Sequence, residues 1–206
     1  MRERMAYAFL LNAFVVVLES AAFFTALCDR GASILGYYTE LSNALALFAS
    51  LMLCVSLLFR RGRIPQWVRI MRYLSVVMLS LVVFVVLFVL APLLGGLRGA
   101  RILLFDGTML SFHLLCPVLS ALSFFLLEGG APLARQHSLM AILPTVLYAS
   151  VLLFLNALSV VSGPYPFFMI YDIPPILTVL VATFLLGCTF LLAHAVRWAD
   201  ERLGDA

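Results

Sequence analysis

Lysine is absent from all 206 residues, so the 13 basic side chains are all arginine. Charge of either sign is scarce, at 11% of residues. An ordinary soluble domain carries roughly 25%. No basic run with interleaved aromatics occurs, which argues against nucleic acid as a partner. Cys28, Cys54, Cys116 and Cys188 stand in four distant segments with no C-x-x-C pair, so neither a disulfide framework nor a zinc site is signalled. No internal repeat is visible. The chain calls for no metal and no cofactor. The exclusive use of arginine fits a GC-rich prokaryotic genome and hence a prokaryotic plasma (inner) membrane.

What is present is apolar: 65% hydrophobic residues and a mean hydropathy of +1.14. The usual apolar share is roughly 45–50%. An integral membrane protein follows, and its length needs only one domain, residues 1–206. The start, Met1-Arg2-Glu3-Arg4-Met5 before an apolar run, has a signal-peptide outline. Glu19 interrupts that run and no A-x-A site follows, so a retained first helix is expected.

Hydrophobic runs of helix length fall at 5–27, 38–59, 70–94, 105–127, 138–161 and 175–196. Each is long enough to cross a hydrocarbon core of about 30 Å. Charged, Gly and Pro clusters separate them: Asp29-Arg30-Gly31, Arg60-Arg61-Gly62-Arg63-Ile64-Pro65, Gly95-Gly96, Glu128-Gly129-Gly130-Ala131-Pro132 and Gly163-Pro164-Tyr165-Pro166. The expected architecture is all-α, a polytopic protein of six transmembrane helices. Arg2, Arg4, Arg60, Arg61, Arg63, Arg69, Arg72, Arg135, Arg197 and Arg202 fall on one side of such a bundle. Arg30, Arg98 and Arg101 fall on the other. The positive-inside rule then puts both termini in the cytoplasm.

That orientation collects the intramembrane polar groups in the outer half. Glu19 lies about 12 Å below the outer end of the first helix, and His113 about 10 Å below that of the fourth. Thr39, Ser42 and Asn43 share one face of the second helix by their i, i+3, i+4 spacing. Asp106 and His113 share a face of the fourth. Asn156 and the Tyr171–Asp172 loop belong to the same half, while Asn12 is the clearest polar group of the inner half. Stripes of this kind facing a common interior build a polar pocket.

Each residue has a plainer reading. Thr39 opens a helix with Glu40 after it, as an N-cap does. His113, Ser42 and Asn43 can join helices through hydrogen bonds. Asp106 and Asp172 fit solvated helix-end or loop acids. Tyr37, Tyr38 and Trp67 fit an interfacial belt, His137 and His194 a solvated boundary, and Cys116 a buried apolar thiol. Glu19 is hardest to dismiss, because a carboxyl at that depth needs a partner, a proton or water.

Three motifs add a family resemblance. Tyr37-Tyr38-Thr39-Glu40-Leu41-Ser42-Asn43 resembles the aromatic-Thr-x-x-Ser-Asn segment of the bacterial six-span Pr6Pr membrane proteins. His113-Leu114-Leu115-Cys116-Pro117 resembles their His-x-x-x-Pro, and Gly163-Pro164-Tyr165-Pro166-Phe167-Phe168 their Tyr-Pro-aromatic loop. That group is similar to the FAR-17a/androgen-induced family, intramembrane hydrolases of fatty acid esters of hydroxy fatty acids that use one Thr and one His. The resemblance runs through about residues 1–200. Residues 118–124 lack the acidic-aromatic pair of some bacterial members.

The resemblance implies Thr39 as nucleophile and His113 as base. Asn43, or backbone amides at the start of the second helix, would stabilise the oxyanion, and Glu19 or Asp172 would orient the imidazole. The expected function is lipid-ester hydrolysis or acyl transfer, with membrane lipids or fatty-acyl esters as partners. The alternative is a non-enzymatic carrier or receptor for a small amphiphile. A third reading is an assembly protein whose polar residues only join helices.

Overall fold

The computed structural model describes residues 2–59 and 63–204. Met1, Arg60, Arg61, Gly62, Asp205 and Ala206 lie outside the described residues, and with them two arginines of the expected basic loop. Most of the described residues are helical, and none of them is in a strand. We number the helices α1 (Arg2–Arg30), α2 (Tyr38–Phe59), α3 (Gln66–Leu93), α4 (Leu97–Phe105), α5 (Ser111–Leu127), α6 (Arg135–Ala157) and α7 (Pro175–Gly204). Five of them (α1, α2, α3, α6 and α7) are long and apolar enough to cross a membrane, and α5 is a shorter apolar helix. Leu10, Phe14, Val17, Phe24, Phe154 and Leu191 are exposed along their helices. Apolar surface of that extent marks an integral membrane protein rather than one surrounded by water.

α2 and α3 form the centre. α1 packs on α2, α7 packs on α3, and α5 lies against α1, α3 and α7. The buried core follows those contacts, with Ala46, Ala49 and Leu53 on α2 and Tyr73, Val76 and Val77 on α3. Small residues on α2 let the helices approach closely where lipid supplies no hydrophobic drive between them.

Several element ends differ from the expected runs for local reasons. The run expected at 105–127 becomes helix α5 only after a turn at Asp106–Met109, and residues 97–105, almost wholly outside the expected runs, form the separate short helix α4. α3 starts at Gln66, directly after Pro65 in an extended conformation. Arg69 and Arg72, counted among the arginines on one side of the bundle, therefore lie within the helix. α6 stops at Ala157, short of position 161. Ser159 adopts φ 57°, while Val160 N–H donates to Leu155 O and Ser159 N–H to Asn156 O. That bond pair is a Schellman ending.

At the end of the bundle holding the 63–65 and 128–134 loops, Arg72 is fully buried and bridges Glu128 at 2.7 Å. It also donates to Ser50 Oγ at 2.9 Å and to Ser120 O at 3.1 Å. Ser123 Oγ donates to Glu128 at 2.7 Å, and Asn12 Nδ2 donates to Ser123 Oγ at 2.6 Å. Arg69 holds both Asp200 oxygens at 2.8 and 2.9 Å and reaches the carbonyls of Glu128 and Ala131. Gly130 is required here, because a Cβ would come within 2.7 Å of Arg69 Cδ. α1, α2, α3, α5 and α7 are joined through this one network.

Candidate functional site

The opposite end of the bundle brings together α2's first turn, α4, the start of α5 and the loop before α7. A short 3₁₀ turn, Gly31–Gly36, leads out of α1, and Tyr37 is extended before α2 begins. Thr39 is thus the second residue of α2, and its hydroxyl makes no capping bond to its own helix. It lies 3.4 Å from His113 Nε2. Both side chains are buried, Thr39 at 8% exposure and His113 at 5%.

The imidazole is held from its other side. His113 Nδ1 lies 2.6 Å from the carbonyl oxygen of Leu103. A carbonyl only accepts, so Nδ1 carries the proton and Nε2 is the bare nitrogen facing Thr39. Leu103 sits in the last turn of α4, where the final carbonyls lack intrahelical partners. The role of orienting the imidazole, expected of Glu19 or Asp172, is filled geometrically by this backbone carbonyl. Locally, Pro117 cannot donate to the carbonyl four residues earlier, which belongs to His113. The chain accommodates this with a π-turn at Ser111–Leu115, where Cys116 N–H reaches Ser111 O. Such bulges recur at functional sites.

The remaining expected residues are placed as follows. Ser42 is buried and donates to Tyr38 O at 2.7 Å. Asn43 Nδ2 donates to Thr39 O at 2.8 Å and to Phe112 O at 3.1 Å, so both its donor hydrogens are used. Its Oδ1 is buried and unpartnered, leaving it an acceptor and not an oxyanion donor. Glu19 is fully buried against Cys116, three residues beyond His113, and neither carboxyl oxygen has a hydrogen-bond partner. Asp106 and Asp172 are exposed at the same end, and Asp106 stands in the extended turn after α4 rather than on the helical face of His113 where its spacing put it. Asn156 donates to Phe168 O at 3.0 Å. Two expectations change. Tyr38, placed in the interfacial belt, is buried and its hydroxyl pairs with Thr145 Oγ1 at 2.8 Å. His137, expected in solvent, is buried and accepts the Ala134 N–H at 3.0 Å.

Thr39 also lines a cavity of about 50 Å³ walled by Tyr38, Val82, Tyr148, Tyr165 and Phe167. That is room for a few water-sized groups. A wider groove of about 1430 Å³ runs between α2, α3 and α6, lined mostly by apolar side chains such as Leu45, Met78, Leu147 and Leu155. Tyr38 and Tyr148 border both spaces. Their rings meet edge to face at 5.2 Å, and Tyr148 donates to Gly36 O at 2.9 Å.

Tyr165 is the residue that reading single positions passed over. Its hydroxyl sits at the amino end of α2, against the Thr39 side chain and the Tyr38 and Thr39 backbone amides. Burial pushes this hydroxyl up to about 12, so it stays protonated through the neutral range. The available signal was its place in a Gly-Pro-Tyr-Pro-aromatic loop, which does not say where the loop folds. The arrangement can deprotonate a hydroxyl, hold an imidazole in one tautomer and offer donors beside a small cavity. Among the described residues, no group of His, Cys, Asp and Glu is placed to hold a metal ion. The chain matches no family model, no curated protein and no solved structure.

Proposed function

We propose that this protein is an intramembrane ester hydrolase or acyltransferase with Thr39 as nucleophile and His113 as general base. The observation that carries the reading is the geometry of one pair: Thr39 Oγ1 lies 3.4 Å from an imidazole nitrogen whose opposite nitrogen is fixed at 2.6 Å on Leu103 O. A nucleophile, a base in reach and a third group orienting the base form the working unit of covalent acyl transfer. The contact is long for a hydrogen bond, and catalytic contacts of this kind tighten when substrate binds. The plainer reading of Thr39 as a helix cap loses support, because its hydroxyl faces His113.

The substrate class is a fatty-acyl ester, in keeping with the resemblance of the Thr39, His113 and Tyr165 motifs to the Pr6Pr and FAR-17a/androgen-induced groups. Fatty acid esters of hydroxy fatty acids are the first candidates. With α5 as a sixth span and both termini cytoplasmic, the site opens to the outer leaflet of a prokaryotic plasma membrane.

The test is covalent labelling of the purified protein with an alkyl fluorophosphonate, followed by peptide mapping. The expected product is a single adduct on Thr39 that disappears in Thr39→Ala and His113→Ala. Absence of an adduct on the folded wild-type protein would favour the second reading, a carrier for a small amphiphile. The roomy apolar groove beside Tyr38 and Tyr148 supports that alternative.

A further inference from the structure

We propose that the Tyr165 hydroxyl, held at the amino end of α2, donates to the carbonyl oxygen of the ester and so completes an oxyanion site for the Thr39–His113 pair. The proposal deepens the ester-cleavage reading and rests on it. Three observations converge. First, the hydroxyl lies against the Thr39 side chain and the first amides of α2, which have no carbonyl four residues earlier within the helix to bond. Second, Tyr165, Thr39 and Tyr38 line the same small cavity, so a carbonyl group in reach of Thr39 Oγ1 also lies beside Tyr165. Third, Asn43, the side chain best placed by spacing to donate there, has spent both hydrogens on backbone carbonyls.

The tyrosine is built in rigidly, as an oxyanion donor must be. Its ring stacks on Phe167 at 5.3 Å with planes 2° apart and meets Tyr37 edge-on at 5.9 Å. Its carbonyl accepts the Phe168 N–H at 2.9 Å, and Asn156 ties Phe168 O to α6 at 3.0 Å. Gly163 lets the loop close on itself, because a Cβ there would come within 2.6 Å of the Phe168 carbonyl group. Phe would fill the same ring space, so packing alone does not call for the hydroxyl.

In the step, Thr39 Oγ1 forms a bond to the carbonyl carbon and its proton passes to His113 Nε2. The carbonyl π pair moves onto oxygen, where Tyr165 O–H donates to it. Collapse re-forms the carbonyl and breaks the ester C–O bond, and the His113 proton goes to the departing alkoxide. Tyr165 keeps its proton throughout, as a phenol pushed up to about 12 can at neutral pH.

The experiment compares wild type with Tyr165→Phe, both full-length in detergent micelles. It uses a medium-chain p-nitrophenyl ester for turnover and an alkyl fluorophosphonate for Thr39 labelling. Loss of one oxyanion donor is expected to lower kcat and the labelling rate by roughly 10²–10³-fold, with KM changed little. A lower melting temperature with kcat unchanged means Tyr165 only packs, and overturns the proposal while leaving the Thr39–His113 reading intact. No labelling of folded wild type overturns both. Should Tyr165→Phe fail to fold, Tyr165→3,5-difluorotyrosine keeps the shape and acidifies the phenol. Its pH–rate profile should then lose activity at lower pH on the alkaline side, and an unshifted profile overturns the proposal.

Discussion

The two ends of this bundle each bury polar groups, yet they handle them in opposite ways. Around Arg72 and Glu128 the charged groups are fully bonded: all three guanidinium nitrogens of Arg72 are engaged, Glu128 accepts from Arg72, Ser123 and Asn12, and only neutral atoms of the network, Asn12 Oδ1 and Ser120 Oγ, lack a partner. Around Thr39 and His113 the bonding is incomplete. Both Glu19 oxygens and Asn43 Oδ1 are buried without partners, the Thr39–His113 contact is long, and a cavity stands beside it. A saturated network holds helices together. An unsaturated one with room beside it is where something else completes the bonding. Buried groups left unpaired cost about 1–3 kcal/mol each and occur at both ends, so what sets the Thr39–His113 end apart is the cavity beside it.

The comparison is broken most directly from the saturated end. Removing one partner of a buried ion pair costs about 3–5 kcal/mol, because the other charge is left stranded. Arg72→Leu should therefore lower stability by about that much in equilibrium unfolding in mixed micelles. The double change Arg72→Leu with Glu128→Leu should recover much of the loss, since an apolar pair of similar volume is often neutral. Equal losses for single and double variants would show that the network holds the helices by something other than charge pairing.

At the other end the expected effect falls on activity and not on stability. His113→Ala should reduce ester turnover by roughly 10²–10⁴-fold, the usual contribution of a positioned base. Thr39→Ala should abolish labelling, and Thr39→Ser should retain it. The melting temperatures of these variants should stay close to wild type. A Thr39→Ala protein that unfolds as readily as Arg72→Leu would erase the distinction between the two ends.

Glu19 gives the smallest expected effect and the sharpest test of its own role. The structure places no hydrogen-bond partner on its carboxyl, so Glu19→Leu has little bonding to lose. A stability change within about 1 kcal/mol, in either direction, is expected from exchanging an unpaired buried polar group for an apolar one. Glu19→Gln tests the chemistry separately: turnover near wild type removes Glu19 from the mechanism. A large stability loss in Glu19→Leu would show that the carboxyl is bonded to its neighbours and would overturn that expectation.

The amino-acid sequence alone determined the class of molecule. Hydropathy and scarce charge leave no other solvent than a membrane, and because backbone groups in hydrocarbon must bond within their own segment, long apolar runs become helices. The same periodicity put Thr39, Ser42 and Asn43 on one face and marked Thr39 and His113 as polar groups at similar depth. Tertiary structure decided the rest. Arg69 and Arg72 read as charges on one side of the bundle until the start of α3 after Pro65 turned them inward to Asp200 and Glu128. The group that fixes His113 is a main-chain carbonyl of Leu103, and a backbone atom is the same in every residue, so no pattern of side chains announces it. Asn43 looked like a donor and is spent, because Phe112 O and Thr39 O happen to lie within its reach. Tyr165 sits 126 positions from Thr39 along the chain. Only the closed Gly163–Phe168 loop, pinned by Asn156, brings its hydroxyl to the amino end of α2. Depth and periodicity are properties of one segment and can be read from it. Contact between segments depends on how they pack, and that is where this site is made.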